Sequence, residues 1–114
     1  MNPSSPPAAS APAEPHCLLT LVLPLALEEE VLDLLHAQAG LLQGFSIFHG
    51  QGVGAGVPLT TVMEQVQGRA RRVLVQAALR QEDVAPLLAA LRQALPSPEV
   101  TYWAVPLALS GSLA

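Results

Sequence analysis

Charge is scarce in this chain. Of its 114 residues only 12% are charged and 51% are hydrophobic, whereas an average soluble chain carries about 25% charged residues. A surface so thin in charge implies that some apolar area is buried against other chains. Positive charge is scarcer still: Lys and Arg together number 5 against 9 acids, giving a net charge of −4. That balance excludes a nucleic-acid binder, which must neutralise phosphates with a basic face. The single cysteine, Cys17, excludes an internal disulfide and fits a reducing compartment. Long apolar runs are missing too. The longest, residues 17–27, contains Pro24 and falls far short of the roughly 20 residues that span a bilayer. The opening MNPSSPPAASAPAEP has neither the basic region nor the apolar run of a secretory signal. A soluble, cytoplasmic protein without membrane insertion is expected.

What is present begins with a boundary. Residues 1–15 are Pro, Ala and Ser with a lone Glu14, a composition that buries too little apolar surface to offset its ordering entropy, and they are read as a disordered leader. Residues 16–108 form one domain with one modest core. Residues 109–114 are read as a flexible tail.

Within the domain, CLLTLVL from Cys17 is apolar on both faces, as in a central strand, and Pro24 ends it. Glu28, Glu29 and Glu30 suit a first helical turn, and Leu27, Val31, Leu34 and Leu35 repeat at helical spacing towards Gln38. Phe45–Phe48 alternates as a short strand. The alternation of Val73, Val75, Ala77 and Leu79 gives the clearest strand. Asp83 is the expected N-cap of a second helix, with Pro86 in its first turn and Val84, Leu87, Leu88, Leu91 and Leu95 as its apolar stripe. VTYWAV from Val100 is the fourth strand. The order βαββαβ with antiparallel pairing predicts an α+β ferredoxin-like two-layer sandwich with the first and third strands central and both helices on one face.

That arrangement leaves one sheet face bare. If Leu19, Leu21, Ile47, Val73 and Val75 lie beneath the helices, then Leu18, Thr20, Val22, Phe48, Leu74 and one of Tyr102 and Trp103 make an apolar patch on the other side, and an oligomer is expected.

The segment from residue 43 to 79 organises the rest. Gly50, Gly52, Gly54 and Gly56 recur every second residue between two strands, so the loop is read as a mobile arm able to approach a ligand closely. The following TTVMEQVQ is either a helical turn or an extended arm. Arg69, Arg71 and Arg72 beyond it can receive an anion through two-point guanidinium contacts or simply guard a strand end; with Gly50, Gly52 and Gly54 they form the candidate ligand site. Catalysis is not expected. There is no Ser/His/Asp set, no carboxylate pair, and the glycines lack the ending of a phosphate-binding P-loop. VQGRARR at 66–72 is similar to an acylphosphatase loop but precedes the third strand, whereas that loop follows the first. An RNA-recognition reading fails because the first and third strands carry no aromatics for base stacking.

The stretches CLLTLVLP, LLQGFSIF, EQVQGRARRV and YWAVP resemble the PII-like superfamily, which includes the CutA branch, and more narrowly a PII-like family encoded near heavy-metal efflux systems of the resistance-nodulation-division type. The resemblance covers residues 17–107. It implies a homotrimer with sheets facing the three-fold axis, ligand clefts between subunits, and a mobile T-loop between the second and third strands that contacts a target, such as an efflux transporter or its regulator. The link PSPE at 96–99 lacks the glycine and basic residues with which PII proteins hold nucleotide phosphates, and no tyrosine lies between Gly50 and Arg69, so PII uridylylation cannot operate. The efflux connection suggests a divalent transition metal (Zn, Cu or Co) on Cys17, His49 and Glu64, imidazole and thiolate being suited to such ions. The alternative function is a CutA-like metal buffer or chaperone without signalling.

Overall fold

The computed structural model describes residues 17–42, 44–54 and 56–114; residues 1–15, read as the leader, lie outside them. A four-stranded antiparallel sheet of order β2-β3-β1-β4 is built from β1 (Cys17–Pro24), β2 (Ser46–Gly52), β3 (Ala70–Leu79) and β4 (Thr101–Pro106). Helices α1 (Glu28–His36) and α3 (Gln81–Ala94) are the two crossovers, and a shorter α2 (Val62–Gln67) lies between β2 and β3. The ferredoxin-like order read from the sequence is the order found. Among the described residues no helix is long and apolar enough to cross a membrane.

The central pair is the longest. β1 runs antiparallel to β3 from Cys17↔Leu79 to Pro24↔Arg72, and since paired residues point to the same side, the register alone sorts the side chains. Leu19, Leu21, Leu23, Val73, Val75 and Ala77 take the helix side and are buried, together with Val31 and Leu35 of α1 and Leu87 of α3. Ile47 shares that side through its pairing with Val75, yet remains 41% exposed on β2, an edge strand of the sheet.

Local chemistry explains most element ends and corrects several expectations. The chain leaves β1 through a 3-10 turn, Leu25–Leu27, and Glu28, Glu29 and Glu30 do occupy the first turn of α1, where the helix dipole favours carboxylates. That helix stops at His36, two residues early, and the imidazole rests on Phe45 at 5.3 Å between ring centroids. Asp83 is not an N-cap. Extended Arg80 holds that place, α3 starts directly after it, and Asp83 instead accepts a bond from Arg80 Nε at 3.4 Å. Pro86 consequently falls beyond the first turn, where it removes one backbone bond within the helix. β2 is longer than expected, since the alternation of Phe45–Phe48 stops where ladder bonds to β3 continue through Gly50, Gln51 and Gly52.

The bare face is as expected. Phe48, Leu74 and Val22 lie in one row across it, Ser46, Gln76, Thr20 and Trp103 in the next, and Ala78, Leu18 and Val105 in a third. Thr20 is buried, with Gln76 Nε2 donating to its hydroxyl at 3.3 Å. Phe48, Trp103 and Val105 are 51%, 52% and 44% exposed. Of the two adjacent aromatics on β4, Trp103 belongs to this face, while Tyr102 pairs with Leu21 on the helix side.

Leu87 is fully enclosed, so Leu87→Ala removes a side chain the helix layer cannot replace. A loss of about 2–5 kcal/mol in urea unfolding is expected, against less than about 0.5 kcal/mol for Val66→Ala on the exposed side of α2.

Candidate functional site at the base of the β2–β3 arm

The excursion from residue 53 to 69 leaves the sheet between Gly52 and Ala70, which pair with each other. Its segment TTVMEQVQ resolves as a helix because Thr61 supplies an N-cap: its backbone is extended and its hydroxyl accepts from Glu64 N at 3.1 Å. Gly68 ends the helix in the left-handed conformation at φ 69°, which glycine adopts without a Cβ clash. The helix is short and cannot persist on propensity alone. Something must clasp it.

Glu64 is that clasp. One carboxylate oxygen accepts from Thr60 N at 2.9 Å and from the Thr60 hydroxyl at 3.1 Å, while the other accepts from Arg71 N at 2.8 Å. Its carbonyl also takes Gly68 N at 2.8 Å and Arg69 N at 3.2 Å. One residue thus ties the entrance of the arm, its helix and the start of β3 together. The carboxyl is buried, and the bonds from Arg71 N and Thr60 N lower its pKa to about 2, against the opposing effect of desolvation.

The clasp displays the rest of the arm. Val62, Met63 and Val66 on α2 are 77%, 54% and 78% exposed, and Val53 is 69% exposed. At the base, Gly50 pairs with Arg72 and Gln51 with Arg71. Arg69 donates to Gln51 Oε1 at 3.3 Å, and Arg72 reaches the Pro58 carbonyl at 3.5 Å on the other side of the ribbon. None of the three arginines joins an ion pair with a carboxylate among the described residues. Gly52 is required for this closeness, since a Cβ there would stand 3.0 Å from Val57 Cγ1 and 3.1 Å from Arg72 Cγ. Gly54 alone of the loop glycines singled out has a positive φ, at 131°; Gly50 and Gly52 belong to β2, a correction to the reading of the whole 50–58 stretch as free loop.

The structure therefore brings Arg69, Arg71, Arg72, Gly50 and Gly52 to the root of the arm, with Arg71 and Arg72 on opposite sides of the ribbon. It does not gather Cys17, His49 and Glu64. Cys17 is buried opposite Leu79, and burial raises its thiol pKa; His49 lies opposite Val73, six positions along β3 and so about 20 Å away. His49 Nε2 contacts Glu28 Oε2 at 2.7 Å instead, and Glu64 is committed to the arm. Among the described residues no group of three or more His, Cys, Asp or Glu side chains converges on a metal position, so these three do not fit a shared ion within one chain. The role of Glu64 was legible in outline. Thr61-Val62-Met63-Glu64 has the spacing of a capping box, and here the carboxylate is held by Thr60 and Arg71 as well as by Thr61 N.

A carboxylate whose folded pKa is depressed stabilises the fold above its unfolded value of about 4.5, and that contribution is lost as pH falls towards about 2. Protection of the residue 60–71 amides, taken against the intrinsic exchange rate at each pH, is therefore expected to fall across that acid window before that of the β1–β3 amides. In Glu64→Gln the arm is expected to be poorly protected already at pH 7, with no further loss of protection on acidification through the window.

The sequence profile of a family described as a protein of unknown function (DUF3240) matches residues 13–114. No curated protein matches the chain. Among solved structures, a DUF3240 family protein from Shewanella baltica OS155 aligns with a TM-score of 0.68 at 20% identity, over 90% of this chain and 100% of that one. CPII, a nitrogen regulatory PII-like protein from Thiomonas intermedia K12, solved with ADP, AMP and bicarbonate, aligns at 0.62 with 22% identity over 87% and 97% of the two chains. A putative PII-like signalling protein from Thermus thermophilus aligns at 0.57 with 17% identity, over 82% and 88%. The long connection between β2 and β3, the half-covered sheet and these likenesses agree: the chain belongs to the DUF3240 family and has the PII-like fold.

Proposed function

We propose that the chain is a PII-like regulatory protein that works as a homotrimer, binds a small anion at the base of its arm, and presents the arm to a protein target. One observation carries the reading: three arginines with no carboxylate partner among the described residues stand beside Gly50 and Gly52 at the root of a clasped, outward-facing excursion. Guanidinium groups in such a position favour an oxyanion by charge-assisted, two-point hydrogen bonding. CPII is described with ADP, AMP and bicarbonate, all anions, which supports the same preference here. Because the 96–99 link has no phosphate-holding glycine or basic residue, a compact oxyanion is favoured over a nucleotide.

The ligand acts by differential affinity. An anion that binds one arrangement of Arg69, Arg71 and Arg72 better than another shifts the population of clasped and released arms. The exposed Val62, Met63 and Val66 then become available in one geometry or lose it. The proposed activity is binding without catalysis, in the cytoplasm. The target follows from the sequence resemblance alone: a heavy-metal efflux transporter or its regulator. A metal ligand is set aside because Cys17, His49 and Glu64 lie apart. Association rests on the bare face, where Phe48, Leu74, Val22 and Leu18 adjoin half-exposed Trp103 and Val105, more apolar surface than a lone subunit leaves wet; the number three rests on the PII-like resemblance.

Native mass spectrometry at micromolar concentration is expected to give a trimer, and Leu74→Glu on the bare face a monomer. With bicarbonate, ADP, AMP, Zn, Cu and Co offered in turn, bicarbonate is expected to be retained, and the nucleotides and metals not. Arg71→Ala with Arg72→Ala should weaken the retained anion about tenfold or more, the loss expected from hydrogen bonds to charged groups. A monomeric wild-type mass would refute the oligomeric reading, and unaltered retention by the double variant the ligand site.

A further inference from the structure

A concavity lies on the helix side of the sheet, between the C-terminal half of α3 and the first residues of β4. Leu21 forms its floor and Tyr102, paired with Leu21, one wall. Leu88, Leu91 and Leu95 project from α3 at helical spacing as the opposite wall. The rim follows from how the helix ends. Leu95 leaves the helical conformation at φ −143° and ψ 79°, Ser97 N bonds back to the Leu95 carbonyl at 2.8 Å, and Val100 N to the Ser97 carbonyl at 3.3 Å. This turn carries Pro96 and Pro98 outward and leaves a cavity of about 330 Å³.

The volume and the walls suit a small molecule. Binding clefts of about 300–1,000 Å³ with mainly apolar walls and a few polar groups are the usual form of ligand sites, whereas leucines facing water across such a space gain nothing for a core as modest as this one. Polar groups are confined to Arg92, Ser97 and Tyr102. Ser97 Oγ is engaged by Glu99 N at 3.2 Å. Arg92 joins no ion pair among the described residues, which leaves one permanent positive charge beside an apolar slot.

We propose that this cavity binds a small amphiphilic monoanion of the medium-chain carboxylate class, its hydrocarbon part lying among Leu88, Leu91, Leu95 and Tyr102 and its carboxylate meeting Arg92. The site is separate from the arginine cluster of the arm, and neither the trimer nor the arm reading is needed for it. Charge and length are both specified. A neutral alcohol of equal length fills the slot but leaves Arg92 without its counter-ion, and a two- or three-carbon acid satisfies Arg92 but leaves the leucines wet.

The test is titration calorimetry of the full chain with octanoate, hexanoate, propionate and 1-octanol. Octanoate is expected to bind saturably, hexanoate more weakly by about fourfold per methylene removed, propionate not measurably, and 1-octanol at least about tenfold more weakly than octanoate. Arg92→Gln, an exposed substitution, should erase the preference for octanoate over 1-octanol while leaving the dependence on chain length. Leu91→Trp should abolish binding of both. Equal affinity of the wild type for octanoate and 1-octanol, an unchanged preference in Arg92→Gln, or no saturable heat with octanoate would overturn the proposal. So would a change of native mass in Leu91→Trp when the wild type takes no octanoate, since the cavity would then hold a neighbouring subunit.

Discussion

Everything in this molecule depends on the antiparallel ladder between β1 and β3. Over its length from Cys17↔Leu79 to Pro24↔Arg72, the pairing assigns each apolar residue to one of two sheet faces, and a shift by one residue would exchange them. Only one face can be covered, because both crossover helices lie on the same side. The core is therefore a single layer of Leu, Val and Ala between sheet and helices. The same register that buries Leu19, Leu21 and Leu23 obliges Leu18 and Val22 to face the other way, so the bare apolar face and the hydrophobic core have one cause.

The ladder also positions the functional elements. β3 begins where β2 ends, so its first residues lie opposite Gly50, Gln51 and Gly52, and the arginines of a largely acidic chain are brought to the root of the arm. Repulsion among three cations would loosen such a root in isolation. The ribbon tolerates it because Arg71 and Arg72 point to opposite sides and Arg69 and Arg72 find neutral acceptors in Gln51 and the Pro58 carbonyl. Glu64 sits nearby but serves backbone and hydroxyl donors, and among the described residues the three guanidiniums join no ion pair.

The root of the arm and the cavity beside α3 differ in kind. At the arm's root, arginines and glycine backbone come together. Between α3 and β4, leucines dominate and a single guanidinium stands at the rim. Edge strands explain both. β2 and β4 are exposed along their whole length or nearly so, and the cavity lies where α3 overhangs an edge that it cannot cover.

The sequence by itself determined the four strands, the two crossover helices and their order. Alternation at Val73–Leu79, the proline after β1 and the leucine stripe of α3 are local patterns with local causes. It also singled out Arg69, Arg71, Arg72, Gly50 and Gly52, since glycine and arginine carry their chemistry in their type. Tertiary structure decided what local pattern cannot carry: that the TTVMEQVQ segment is helical, that β2 continues through two glycines, and that Arg80 rather than Asp83 begins α3. It also set Glu64 in the arm and Cys17 about 20 Å from His49 along the sheet. Each of those outcomes turns on a partner distant in sequence, such as Arg71 N for Glu64 or the β3 ladder for Gly52. The energy of a short helix or of a glycine strand lies in contacts made only after the chain has closed on itself.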